Sequence, residues 1–315
     1  MRKYVASAPG KVNLHLGVGE ARADGYHDLV SVFHAVDRRE VVTNNASDTL
    51  TEGPIVRSMQ TTFYVDEPEE SIDGPTNLAW RAVNAVAERA GIALPEVHIE
   101  VAKHVFVAGG MAGGSADAAA ALVAANALVA DHGEPLTAET LHELAASLGA
   151  DVPFSLMGGT ALGTGRGDEL VEMLSRGRLN WVFVNPKVGI STGGAFSLLD
   201  DLRHGNPALV PHLNTAGLSQ ALTSGDAARV AEALHNDLDA AALSMRPQLK
   251  RLIDAANEAG LRAMVSGSGP TVYGLFKKIE ERDAAYAILR KKYRIAIKTE
   301  TAGEEHGTTG NSHQG

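Results

Sequence analysis

Apolar and polar positions alternate from the first residues of the chain. Residues 2 to 8 and 11 to 18, where Val12, Leu14, Leu16 and Val18 alternate with Asn13, His15 and Gly17, predict two strands with one buried face. A polar segment with the turn pair Asp24-Gly25 follows, and the strand period resumes from 29 to 42. Helical spacing over 76 to 90 (Leu78, Ala82, Val83, Val86, Ala90) gives way to alternation at Val97, Ile99 and Val101. A glycine-rich stretch from 107 to 115 then leads into an Ala/Leu-rich helix over 116 to 130, for which Ser115 is the expected N-cap. Another helix is predicted over 136 to 148, with Thr137 as its N-cap.

Glycines at 158, 159, 163, 165 and 167 mark the expected division of the chain into a first domain over 1–160 and a second over 161–301. The second half predicts a strand at 181 to 185, helices at 193 to 203, 226 to 236 and 246 to 259, and two strands around a Gly/Ser turn between 264 and 276. A helix at 280 to 292 and a strand at 294 to 299 complete an α+β layout, and the polar tail 302–315 is expected to be disordered.

Length and composition agree with this layout. At 315 residues, with 44% hydrophobic and 21% charged side chains, the chain is long enough for two cored domains and unlike a disordered one. The formal net charge of −10 argues against nucleic acid or an anionic membrane as partner, so any anionic ligand must be held locally. With no cysteine, thiolate chemistry and disulfides are excluded. The basic start, Met1-Arg2-Lys3-Tyr4, is followed by Ser7, Pro9, Gly10 and Lys11 before any long apolar run. No export signal or membrane span is therefore expected, and the cytoplasm is the expected compartment.

The 33 glycines change the picture most through where they sit. A glycine loop feeding a helix N-terminus exposes backbone N–H groups beside a partial positive charge, which suits phosphate. The loop lacks both Gly-x-x-x-x-Gly-Lys-Ser/Thr and Gly-x-Gly-x-x-Gly, so it is neither a P-loop nor a dinucleotide fingerprint. Read alone, the glycines could equally serve close helix packing. His142-Glu143 has alanine at 146 and so lacks the second histidine of a His-Glu-x-x-His zinc site.

Gly109-Gly110-Met111-Ala112-Gly113-Gly114-Ser115 resembles the phosphate loop of the GHMP kinases. It departs from the family pattern at Phe106, Met111 and Ala112, which stand where proline, leucine and glycine are usual. An ordinary backbone conformation is expected at Ala112, because positive φ would strain it. Ser7-Ala8-Pro9-Gly10-Lys11-Val12-Asn13 resembles the family's N-terminal motif and Val265-Ser266-Gly267-Ser268-Gly269-Pro270-Thr271-Val272 its C-terminal one. The resemblance implies a two-domain GHMP kinase fold: a ribosomal protein S5 domain 2-like N-terminal domain and a ferredoxin-like C-terminal domain.

Ala23-Asp24-Gly25-Tyr26-His27 and Gly149-Ala150-Asp151-Val152-Pro153-Phe154 narrow the resemblance to the branch acting on a cytidine-diphosphate-linked methylerythritol, in non-mevalonate isoprenoid synthesis. What it implies is transfer of the ATP γ-phosphoryl group to the substrate 2-hydroxyl, with Asp151 as base and Lys11 beside it. Asn13 would contact substrate; Tyr26, His27 and Phe196 would stack on and bond the cytosine. Asn77 and Lys103 would lie near adenosine, and Val107, Ala108 and residues 109–115 around the phosphates. Mg2+ would arrive with ATP and have few protein ligands of its own, with the Ser115 hydroxyl a candidate partner for phosphate or magnesium. A small-molecule partner and a monomer or homodimer are expected. Read without the family, Asp151 is a loop or N-cap aspartate, Lys11 a surface lysine, Phe196 a core aromatic and Asp117 a favourable charge in a first helical turn. A kinase for a homoserine- or mevalonate-type alcohol, a non-catalytic nucleotide-binding relative and a dinucleotide oxidoreductase remain alternatives.

Overall fold

The computed structural model describes residues 2–23, 25–65, 68–293 and 295–302 and the backbone of 309–313. The two opening runs form one strand, β1 (Arg2–Ala21), paired antiparallel along its length with β2 (His27–Thr51). Pro9-Gly10 does not break it. The register shifts there from Pro9↔Arg39 to Gly10↔Val36, so the pair makes a bulge that bends the strand. Of the turn pair joining the two strands, Asp24 lies outside the described residues.

The first half continues with β3 (Val56–Phe63), α1 (Leu78–Ala90), β4 (Leu94–Lys103), α2 (Gly113–Ala130), α3 (Ala138–Leu148), α4 (Val152–Met157), β5 (Thr160–Thr164) and β6 (Glu169–Glu172). The second half holds β7 (Asn180–Val184), α5 (Thr192–Gly205), α6 (Ala216–Ser224), α7 (Ala227–Ala233), β8 (His235–Asn236), α8 (Asp239–Met245) and α9 (Gln248–Ala259). It ends with β9 (Arg262–Val265), β10 (Val272–Phe276), α10 (Ile279–Lys292), β11 (Ala296–Glu300) and β12 (Thr309–His313).

One sheet runs β12-β1-β2-β4-β3, with β5 and then β6 added beside β2, and β8 beside β1. Helices α1 and α2 cover one face, where Tyr4, Ala6, Ala8, Val42 and Ile99 meet Ala82, Val83, Val86 and the alanines of α2. Although α2 is long and apolar enough to cross a membrane, 67% of it is buried. It is a core helix whose alanines let sheet and helices approach closely. The other sheet, β11-β7-β10-β9, is antiparallel throughout, in the strand order expected of a ferredoxin-like domain. All five residues of β7 are buried because both faces are covered. Val182 and Val184 pack on Leu249, Leu252 and Leu289 of α9 and α10. Trp181 and Phe183 pack with Val12, Leu14, Val32 and Val36 of the first sheet. The two sheets thus share a core, and the glycine loop lies at their junction.

Four expectations need correction. Helix α2 begins at Gly113, so Ser115 lies in its first turn and the N-cap is Ala112. Ala112 is left-handed, with φ +56°, contrary to the ordinary conformation expected. Ala108 and Gly110 also have positive φ, and this alternation coils the loop tightly enough to need it again at Ala112. The first sheet runs on through β5 and β6 to Glu172, past the expected boundary at 160, because β5 completes the free edge of β2. Finally, the tail is not disordered throughout: 309–313 pair with residues 3–7 of β1, whose outer edge would otherwise be unpaired. Residues 303–308 and 314–315 of that tail lie outside the described residues.

Candidate active site

Helix α2 starts without a side-chain cap. Its first intrahelical bond runs from the Ala116 N–H to the Ala112 carbonyl, at 2.9 Å. The N–H groups of Gly113, Gly114 and Ser115 therefore have no intrahelical partner, which is the condition for binding an anion. Close packing sets the loop's shape. A Cβ on Gly110 would fall 2.3 Å from the Ser266 carbonyl oxygen, and the Ser266 hydroxyl donates to the Gly110 carbonyl at 2.9 Å. The Gly267–Gly269 turn of the second domain thus abuts the loop, and Asn236 supports that turn by donating to the Val265 and Gly267 carbonyls.

Strand β1 carries Lys11 to the same place, where its N–H donates to the Met111 carbonyl at 3.1 Å. The Lys11 ammonium donates to Asn13 Oδ1 at 2.7 Å and lies 3.7 Å from Asp151 Oδ2. Asn13 donates in turn to Ser31 Oγ at 2.8 Å, and the Tyr273 hydroxyl donates to the Asn13 carbonyl. Lys11 is thereby fixed among polar partners, with its side chain 6% exposed. Asp151 occupies the N-cap position of α4 but makes no capping hydrogen bond. Its side chain is 35% exposed and faces a cleft of about 410 Å³ lined by Lys11, Asn13, Ala108 to Gly110, Ala112 to Ser115 and the Gly267 turn. A carboxylate free of capping, beside an ammonium and at the mouth of an anion site, can accept a proton from a bound hydroxyl.

An adjoining cavity of about 470 Å³ is lined by Tyr26, His27, Phe196 and Asp200. Tyr26 is 57% exposed on the wall of this cavity, whereas His27 is buried. The His27 ring lies 5.3 Å from that of Phe196, and its Nε2 is 2.9 Å from Asp200 Oδ1. Phe196 packs partly on the Leu16, Val18 and Leu199 cluster, so it is at once a core aromatic and a wall of the cavity. A flat heterocycle with hydrogen-bonding edges suits this cavity.

A third depression on the other side of the loop is lined by Asn77, Lys103, Val107, Ala108, Gly114 and Asp117. Asn77 caps α1, accepting from the Ala79 N–H and donating to the Ile72 carbonyl. The Lys103 ammonium is engaged below the loop, 2.7 Å from Asp117 Oδ2 and 2.9 Å from Glu40 Oε1. Glu40 also accepts the N–H groups of His104 and Val105. Burial pushes Glu40 up to about 8, helped by the Asp117 charge and opposed by Lys103. Burial likewise raises Asp117. On Lys103 burial acts downward, but the two carboxylates outweigh it and its pKa is raised. Glu40, Asp200 and Asn236 were missed in the sequence: each is a polar residue in an ordinary strand or helix pattern, and only its distant partner reveals it.

Comparison with known proteins places this geometry among relatives. Residues 77–159 match the family model for the GHMP kinases N terminal domain, and residues 218–295 that for the GHMP kinases C terminal. A 4-diphosphocytidyl-2-C-methyl-D-erythritol kinase of Corynebacterium efficiens is 45% identical over 308 residues, 95% of this chain and 94% of the relative. The crystal structure of a 4-(cytidine 5'-diphospho)-2C-methyl-D-erythritol kinase superposes with a TM-score of 0.70 at 27% identity, covering 95% of this chain and 99% of the other. A homoserine kinase from Cytophaga hutchinsonii superposes equally well, with a TM-score of 0.71, but at 19% identity, over 98% of this chain and 97% of the other. The fold alone therefore does not select the acceptor alcohol.

Proposed function

Because the chain belongs to the GHMP kinases, and within them to the 4-diphosphocytidyl-2-C-methyl-D-erythritol kinases, we propose that it phosphorylates the 2-hydroxyl of 4-diphosphocytidyl-2-C-methyl-D-erythritol with ATP. The observation that carries this reading is the continuity of the cleft. The anion-binding loop and the Lys11–Asp151 pair open directly onto a cavity walled by Tyr26, His27 and Phe196. A small alcohol such as homoserine has no base to fill that cavity.

In this reading the loop N–H groups and the first turn of α2 hold the ATP phosphates. Asn77, Lys103 and Val107 border the adenosine side. Asp151 takes the proton from the 2-hydroxyl as its oxygen attacks the γ-phosphorus and the bond to ADP breaks. Lys11 offsets the negative charge that develops, and Asn13 fixes Lys11 while reaching the substrate. Tyr26 and Phe196 stack on the cytosine and His27, steadied by Asp200, bonds its edge. Among the described residues no cluster of three or more His, Cys, Asp or Glu could hold a metal ion. The Ser115 hydroxyl, in the first turn of α2, would help to hold Mg2+ arriving with ATP, and the ion would supply charge neutralisation of the phosphates. The enzyme would act in the cytoplasm, as a monomer or homodimer.

The test is ADP release from ATP and Mg2+ with the cytidylyl substrate, against homoserine, mevalonate and galactose as acceptors. Turnover with the cytidylyl compound alone is expected. Equal turnover with a small alcohol, or ATP binding without turnover on any acceptor, would overturn the assignment.

A further inference from the structure

The proposed substrate joins its base to its reacting alcohol through a diphosphate, which carries negative charge on both phosphoryl groups. With the base in one cavity and the hydroxyl at Asp151 in the other, that linker must pass the wall between them. The two cavities share Leu29, Arg166, Thr192 and Phe196. Arg166 is the one lysine or arginine among the described residues that borders both. Lys11, the other such cation in the cleft, is already engaged by Asn13 and Asp151. Asp151 and Asp200 border the path, in a chain of net charge −10, so an uncompensated diphosphate would meet repulsion.

Local structure presents Arg166 for this use. It lies at the tip of the β5–β6 hairpin, between Gly165 and Gly167, both with positive φ. The Gly167 N–H donates to the Thr164 carbonyl at 2.9 Å and closes the turn. The Leu29 N–H donates to the Gly165 carbonyl at 2.8 Å, and a Cβ on Gly163 would fall 2.7 Å from Phe33 Cε2. The tip is thus held against β2 and does not depend on its own side chain for its position. Among the described residues Arg166 forms no ion pair with a carboxylate. Its guanidinium lies 5.4 Å from the centroid of the Tyr26 ring. That contact turns the cation toward the face where the base would stack, while leaving its N–H groups available for phosphate oxygens.

Building on the function proposed above, we infer that Arg166 binds the diphosphate linker of the substrate and thereby selects a nucleotide-linked alcohol over a free one. An arginine suits this role because its planar fork can bond two phosphate oxygens at once.

The test compares wild type, Arg166→Ala and Arg166→Lys in steady-state turnover, with cytidine and CDP as competitive inhibitors. In Arg166→Ala the KM for the cytidylyl substrate should rise about 10-fold to 100-fold, the effect of charged hydrogen bonds, while the KM for ATP stays within about twofold. CDP should lose its advantage over cytidine as an inhibitor of Arg166→Ala, and Arg166→Lys should restore part of it. An unchanged substrate KM, or an unchanged preference for CDP over cytidine, would overturn the assignment. Failure of the wild type to turn over the cytidylyl compound would instead overturn the functional reading, and this assignment with it.

Discussion

Lys11 and Lys103 both face carboxylates on either side of one glycine loop, yet the two groups are built for different ends. Lys103 is wedged between Glu40 and Asp117 at 2.9 and 2.7 Å, and all three side chains are almost wholly removed from solvent. Glu40 reaches across from β2 to bond the two N–H groups that follow β4, and Asp117 stands inside α2, past the first turn in which the sequence pattern puts it, because the helix begins at Gly113. The group ties strand, loop and helix together with its polar atoms largely satisfied. Lys11 and Asp151 stand 3.7 Å apart, and Asp151 opens onto the cleft. The looser, wetter pair is the one with room for a substrate oxygen. Short distances and full burial mark a charge group that shapes the loop, whereas separation and access mark one that can exchange a proton.

Removing the carboxylate from the open pair should separate the two most sharply. Asp151→Asn is expected to lower kcat by about two to four orders of magnitude, the usual contribution of a general base, with ATP binding largely intact. Near-normal turnover, measured by ADP release, would erase the distinction. Lys103→Met should act on the fold, because it leaves the buried Glu40 and Asp117 carboxyl groups without the ammonium that bonds them both. A loss of about 3 to 5 kcal/mol in a urea melt is expected, partly recovered when Glu40→Gln and Asp117→Asn are added. No loss would mean that the buried group is not the loop's support.

A smaller effect resolves Glu40 by pH. Its folded pKa of about 8 lies above the ordinary carboxylate value, so the folded state binds the proton more tightly. Its contribution to stability is full below about pH 4.5 and is lost as pH rises through about 8. Thermal melts across that window should show a shallower decline in Glu40→Gln than in wild type; parallel curves would contradict the assignment. The smallest change concerns the loop between the two groups. Ala112→Gly removes the cost of a left-handed alanine and should stabilise the protein by about 1 kcal/mol, read as a raised urea midpoint. A lowered midpoint would mean that the methyl group's packing outweighs the strain.

Much of the architecture was legible in residue periodicity. The alternation at Val12, Leu14 and Leu16, the helical spacing of 76 to 90 and the Gly/Ser turn near 267 each correspond to elements in the structure. The loop's position was legible too, as glycines leading into an alanine-rich helix, although read alone they could equally serve close helix packing. Its backbone was not, since positive φ at Ala112 follows from how the whole loop coils and is not a preference of alanine. The β12 pairing was equally hidden, because a polar strand docks through its backbone and leaves no apolar pattern.

The sequence by itself determined which segments alternate, where the chain must turn and which motifs carry Lys11, Asp151, Tyr26 and His27, because these depend on residues close together along the chain. Only the tertiary structure decided that Lys103 is shared by Glu40 and Asp117, that Asp200 steadies His27, and that Arg166 stands between the two cavities. These are encounters between residues far apart in the chain. A charge becomes a scaffold or a reagent according to the burial and partners that folding gives it.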